Sequence, residues 1–139
     1  MLFRSGHTAY YLPLASPFER IRAAAIEEFR ACLDVFAMLG VKWVNVHPDT
    51  YVPMHEREFL VKQNLASLRT MLSDAAKLGI GLMIENLPQG YNTPAQLGDL
   101  LDPLPELGLH LDIGHANLLV PRNTTAEILK AYEIGRAHV

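Results

Sequence analysis

Metal-competent side chains recur in this chain where short apolar runs end: His7 before Tyr10, His47 in Val44-Asn45-Val46-His47-Pro48, Glu85 in Met83-Ile84-Glu85-Asn86, and Asp112 in Leu111-Asp112-Ile113-Gly114-His115. Short apolar runs of this kind suit parallel strands covered by helices, and in a parallel α/β fold the carboxyl ends of the strands open onto one face. Residues far apart in sequence therefore converge there on one pocket. Imidazole and carboxylate together suit zinc, manganese or similar ions, whereas magnesium prefers oxygen donors alone.

Each residue has a bland reading beside the chemical one. A lone histidine such as His7 or His47 is commonly a partly buried, hydrogen-bonded side chain rather than a ligand. His55, among charged residues at a helix start, is weaker still. His110 precedes Leu111 on a strand and is expected to point away from the Asp112 side. Glu85 is stronger, because a carboxylate after apolar strand residues is either exposed at the strand end or paired; burying it alone is costly. Asp112 and His115 reinforce each other, since the step across Ile113-Gly114 can turn both side chains into one site. The alternative for Asp112 is an Asx-type turn that caps local backbone amides.

The elements that must position these residues are punctuated clearly. Ser16-Pro17-Phe18-Glu19, Thr93-Pro94-Ala95-Gln96 and Thr124-Thr125-Ala126-Glu127 each read as a capped helix start. After the first, Ile21, Ala25, Phe29, Cys32, Leu33 and Phe36 recur at helical spacing, so one stripe faces a core and the helix should run to about Leu39. Met38-Leu39-Gly40-Val41, Lys77-Leu78-Gly79-Ile80 and Glu106-Leu107-Gly108-Leu109 each place glycine where a left-handed turn would lead into an apolar run. The runs Val41 to Val46, Ile80 to Ile84 and Gly108 to Leu111 are then parallel strands, either in an open doubly wound sheet or in a barrel. Periodicity does not choose between those two.

Composition narrows the class. At 139 residues and 50% hydrophobic the chain can bury a core, and a formal net charge of -3 gives no basic field for phosphate backbones. The single cysteine, Cys32, has no disulfide partner, which together with the lack of a signal-peptide pattern makes the cytoplasm the expected location. Leu2 to Ser5 and Ile134 to Val139 can be back-translated into stretches of common sequencing-library adapters. Natural sequence is thus expected over about Gly6 to Glu133, with Met1 to Ser5 standing in for a lost strand.

His7-Thr8-Ala9-Tyr10, Val46-His47-Pro48, Ile84-Glu85-Asn86 and Leu111-Asp112-Ile113-Gly114-His115-Ala116, in this order, resemble the second to fifth strand ends of the xylose-isomerase-like TIM-barrel superfamily. That group includes sugar phosphate isomerases and epimerases and the endonuclease IV type of abasic-site nuclease. The resemblance implies an α/β chain forming part of a (β/α)₈ barrel, about strands 2 to 5, as one partial domain over residues 1–139. It implies a divalent metal, manganese or zinc, with magnesium or cobalt as alternatives.

In the isomerase and epimerase branch, the position of Glu85 binds metal and moves a proton, that of Asp112 is a second ligand, and that of His115 contacts substrate oxygens. Asn86 and His47 are expected to contact substrate as well. The partner would be a sugar or sugar phosphate, with no membrane involved. In the nuclease branch, the positions of His7, His47, Glu85, Asp112 and His115 all hold zinc, and the partner is nucleic acid. Asp49 after His47-Pro48, and Leu87-Pro88-Gln89-Gly90 after Glu85-Asn86, depart from the nuclease pattern and favour the isomerase branch. Further ligands would lie beyond Tyr132, so the isolated chain is expected to associate and to lack activity.

Overall fold

A computed structural model, describing residues 5–132 and 137–138, arranges the chain as β1 (Ser5–His7), α1 (Glu19–Met38), β2 (Trp43–Val46), α2 (Arg57–Lys77), β3 (Gly81–Glu85), α3 (Pro94–Leu101), β4 (Gly108–His110), α4 (Thr125–Ala131) and β5 (Ala137–His138). The strands form one sheet in chain order, and every neighbouring pair is parallel. This is part of a TIM barrel, with helices between successive strands. Leu2 to Arg4 and Ile134 to Arg136, within the segments read as foreign, lie outside the described residues. No helix among the described residues is long and apolar enough to cross a membrane.

Two of the three glycine joints do what their sequence predicts. Gly40 and Gly79 sit at φ of 69° and 66°, a region strained for side chains, and turn α1 and α2 into β2 and β3. Gly108 is different: it opens β4 without positive φ, and a Cβ there would lie 2.9 Å from Met83 and 3.3 Å from the Trp43 ring. Its bareness serves close packing rather than a turn.

The helix starts divide similarly. Thr93 caps α3 by accepting the Gln96 amide at 3.3 Å, with Pro94 opening the helix. Ser16 does not cap α1. Its hydroxyl accepts the Phe18 amide at 3.3 Å, and the helix begins after Phe18, two residues later than the capping pattern implies. Thr124 turns its hydroxyl to the carbonyl of Ala116 at 3.2 Å, so the third expected box is not formed either.

Strand alternation separates the two faces of the sheet. Val44, Val46, Leu82, Ile84, Leu109 and Leu111 join Phe29, Leu33, Leu68, Met71 and Leu100 in one buried core beneath the helices. The stripe read from the sequence is narrower in fact: Ala25, Phe29 and Leu33 are buried, Cys32 and Phe36 are half-buried, and Ile21 is exposed. The opposite face runs in register from Ser5, Trp43 and Gly81, through His7, Asn45, Met83 and Gly108, to Glu85 and His110. Trp43 forms the base of this face, and a Cβ on Gly81 would come within 2.3 Å of its indole. Gly81→Ala is therefore expected to destabilise the fold by about 1–3 kcal/mol through overpacking. Urea denaturation checks this, and an unchanged midpoint would show that Trp43 is free to move aside.

Candidate metal centre

Glu85 is the last residue of β3 and is 5% exposed. An ionised carboxylate so placed needs partners. Its Oε2 accepts the Asn45 side-chain amide at 2.5 Å and lies 3.1 Å from His47 Nε2, 3.5 Å from His7 Nε2 and 3.8 Å from His110 Nδ1. Its Oε1 lies 3.1 Å from His115 Nδ1. Burial pushes the carboxyl pKa up, but the bonds from His47 and Asn45 outweigh burial and bring it from 4.5 down to about 2. Glu85 is thus an anion at neutral pH.

The strand ends bring the expected residues together. His7, His47 and Glu85 form one set whose donor atoms lie within 4.8 Å of one another, and Glu85, Asp112 and His115 form a second. Glu85 belongs to both, one oxygen toward each. His7 and His47 pack edge to face with ring centroids 4.8 Å apart, and Tyr10 packs edge to face on His47 at 5.3 Å. The rings are thereby held in orientation.

Asp112 makes the turn-capping contact and also stands in the second donor set. Oδ1 accepts the His115 amide at 2.8 Å, which is the turn-capping reading, while Oδ2 lies 3.8 Å from His115 Nδ1. The Asn86 side chain, expected to touch substrate, makes its described bonds within the protein. It is 0% exposed, accepts the Asp112 amide at 2.6 Å, and donates to the Asp112 carbonyl at 3.0 Å and to Asn92 at 3.1 Å. These bonds fix the loop after β4 to the end of β3.

One further correction concerns the rim. His110 pairs in register with Glu85 and shares its face; residues 110 and 112 are two apart on an extended chain, so they project to the same side rather than opposite sides. Its Nδ1 is buried and takes no hydrogen bond, which leaves a lone pair or proton facing Glu85. His55 stands apart, bonded through Nδ1 to the Pro53 carbonyl at 2.8 Å and packed on Phe59. Sequence reasoning passed over Asn45 and Asn92. Asn45 had a signal, a polar side chain inside an apolar strand that must find a partner when buried. Asn92, which donates to the carbonyls of His115 and Leu118 at 2.7 and 3.0 Å, had none.

The donor set fits a divalent ion. His7 Nδ1–H donates to the Thr8 carbonyl at 2.8 Å, the arrangement that fixes a histidine's tautomer and leaves Nε2 as a lone-pair donor, here aimed at Glu85 Oε2. A lone pair facing a carboxylate oxygen is repulsive unless a proton or a cation lies between them. Histidine nitrogens and carboxylate oxygens together make a candidate metal-binding cluster.

Comparison with known proteins agrees with this architecture. The model of the xylose isomerase-like TIM barrel family matches residues 2–139. A probable endonuclease 4 of Solibacter usitatus is 32% identical over 122 residues, covering 88% of this chain and 36% of the relative. An uncharacterized protein of Methanocaldococcus jannaschii is 29% identical over 111 residues, covering 77% of this chain and 43% of its own length. The chain thus spans less than half of these curated relatives. The crystal structure of a D-tagatose 3-epimerase-like protein superposes with a TM-score of 0.83 at 26% identity, over 97% of this chain and 55% of that one. With its parallel strands, its strand-end histidines and carboxylates and a family match over nearly its whole length, the chain belongs to the xylose isomerase-like TIM-barrel family.

Proposed function

We propose that the protein carrying this chain is a divalent-metal isomerase or epimerase that moves a proton alpha to the carbonyl of a sugar. The observation that carries this reading is the cavity beside the site. About 1040 Å³ in volume, it is walled by His47, Tyr10, Tyr11, Phe18 and Tyr51, and its described lining includes no lysine or arginine. Such a wall suits a compact uncharged ligand. A phosphodiester backbone calls for cationic side chains, which the described lining of this cavity does not supply.

In this reading Glu85 and Asp112 hold the ion, manganese or zinc, and His47 stands toward the substrate. When bound, the ion supplies a positive charge that stabilises an enediolate. Glu85 carries the transferred proton, and His115 faces the substrate oxygens. Asn45 and Asn86 hold these groups in place. We also assign the protein to the cytoplasm, on the single cysteine of this chain, Cys32.

A second reading keeps a specific observation of its own. His7 and His47 add a second set of donors around Glu85, and several relatives are named probable endonuclease 4. Assaying the protein with manganese and with zinc for ketose epimerisation beside abasic-site cleavage decides between them. Ketose turnover without strand cleavage is expected; cleavage alone would replace the first reading with the second.

A further inference from the structure

Resting on the sugar reading, we infer that Asp49 is a specificity-determining residue that binds a hydroxyl of an unphosphorylated sugar and excludes phosphorylated ones. Asp49 follows His47-Pro48, so the loop that aims His47 at Glu85 also places Asp49 in the cavity wall. Its position is fixed from three directions. Its amide donates to Asn64 Oδ1 at 3.1 Å, its carbonyl accepts Asn64 Nδ2 at 2.8 Å, and Oδ2 accepts the Ala15 amide at 2.6 Å. Asn64 is itself 0% exposed and also donates to the Tyr91 hydroxyl at 3.1 Å, so the clamp is anchored in the α2 face of the core.

None of these bonds uses Asp49 Oδ1, and no lysine or arginine among the described residues pairs with the carboxylate. A fixed carboxylate oxygen in an aromatic wall is a strong acceptor for a hydroxyl. The same charge opposes a phosphate, because like charges brought together in a shielded cavity are penalised. Attraction and exclusion therefore come from one side chain.

Saturation-transfer NMR on the full-length protein that carries this chain, loaded with zinc, tests this with D-fructose and D-fructose 6-phosphate as probes. The wild type should bind fructose more tightly than its phosphate by about tenfold or more, the value of one charge-assisted hydrogen bond. Asp49→Asn keeps an acceptor for the Ala15 amide and loses the charge, so it should narrow that preference by about tenfold. A purely structural role would weaken both ligands together. Equal wild-type binding of the two, a measurement that needs no variant, would overturn this inference alone, as would an unchanged preference in Asp49→Asn. A full-length protein that takes up zinc but binds neither probe would overturn the sugar reading, and this inference with it.

Discussion

Glu85→Gln is expected to lower the affinity of this chain for zinc or manganese by about 100-fold or more, the upper end of what loss of a supporting group around a metal costs. Glutamine is nearly isosteric and can still accept the Asn45 amide, so the variant isolates the charge. That charge is shared by both donor sets, which is why one substitution should affect both. Titration calorimetry gives the affinity, and the d–d absorption of the cobalt-loaded chain reports the geometry. An affinity within a few-fold of wild type would mean that the ion, if bound, sits on His7 and His47 or on Asp112 and His115 without Glu85.

The same substitution has an acid-side signature. The Glu85 carboxyl is held at about 2 rather than 4.5, so the ionised form stabilises the folded chain fully above pH 4.5 and loses that contribution as the pH falls toward 2. Wild type should therefore lose stability across that window relative to Glu85→Gln. A constant difference between the two from pH 5 to pH 2 would show that His47 and Asn45 do not hold the carboxylate as the geometry implies.

The sequence announced the parts of this site that follow from period and punctuation. Two residues per strand repeat and a left-handed glycine at Gly40 and Gly79 fix strand direction, and with it the side on which His47 and Glu85 emerge. His110 shows how a small parity error misplaces a residue, since its face follows from Asp112 two positions on. What stayed illegible depends on pairings across the chain. Ser16 and Thr124 carry the right residue types for caps, yet their hydroxyls bind Phe18 and Ala116 because the loops around them pack elsewhere. Gly108 reads like a turn, and only the approach of Met83 and Trp43 reveals it as a packing position. Asn86 is the clearest case. Its neighbour Glu85 marks it as a ligand-facing residue, but the bond to Asp112, 26 residues away, can be seen only once β3 and β4 lie side by side.

Asn86 consequently carries the second large effect, and it is one of stability. Its side chain bonds both the amide and the carbonyl of Asp112, and through Asn92 it reaches the carbonyls of His115 and Leu118. Asn86→Ala would leave the Asp112 amide and Asn92 Oδ1 short of partners, while the Asp112 carbonyl keeps only the Ala116 amide. Each such group costs about 1–3 kcal/mol, so a net loss of about 3 kcal/mol is expected, with a fall in Tm of roughly 10 °C. Asp112 and His115 should lose their fixed orientation with it, so metal affinity falls although no donor has been removed. A residue that only touched substrate would behave in the opposite way, leaving Tm and metal affinity unchanged while ligand binding weakened. Thermal unfolding monitored by circular dichroism, with zinc titrated into the folded variant, separates the two, and a Tm within about 2 °C of wild type would return Asn86 to the substrate side of the site.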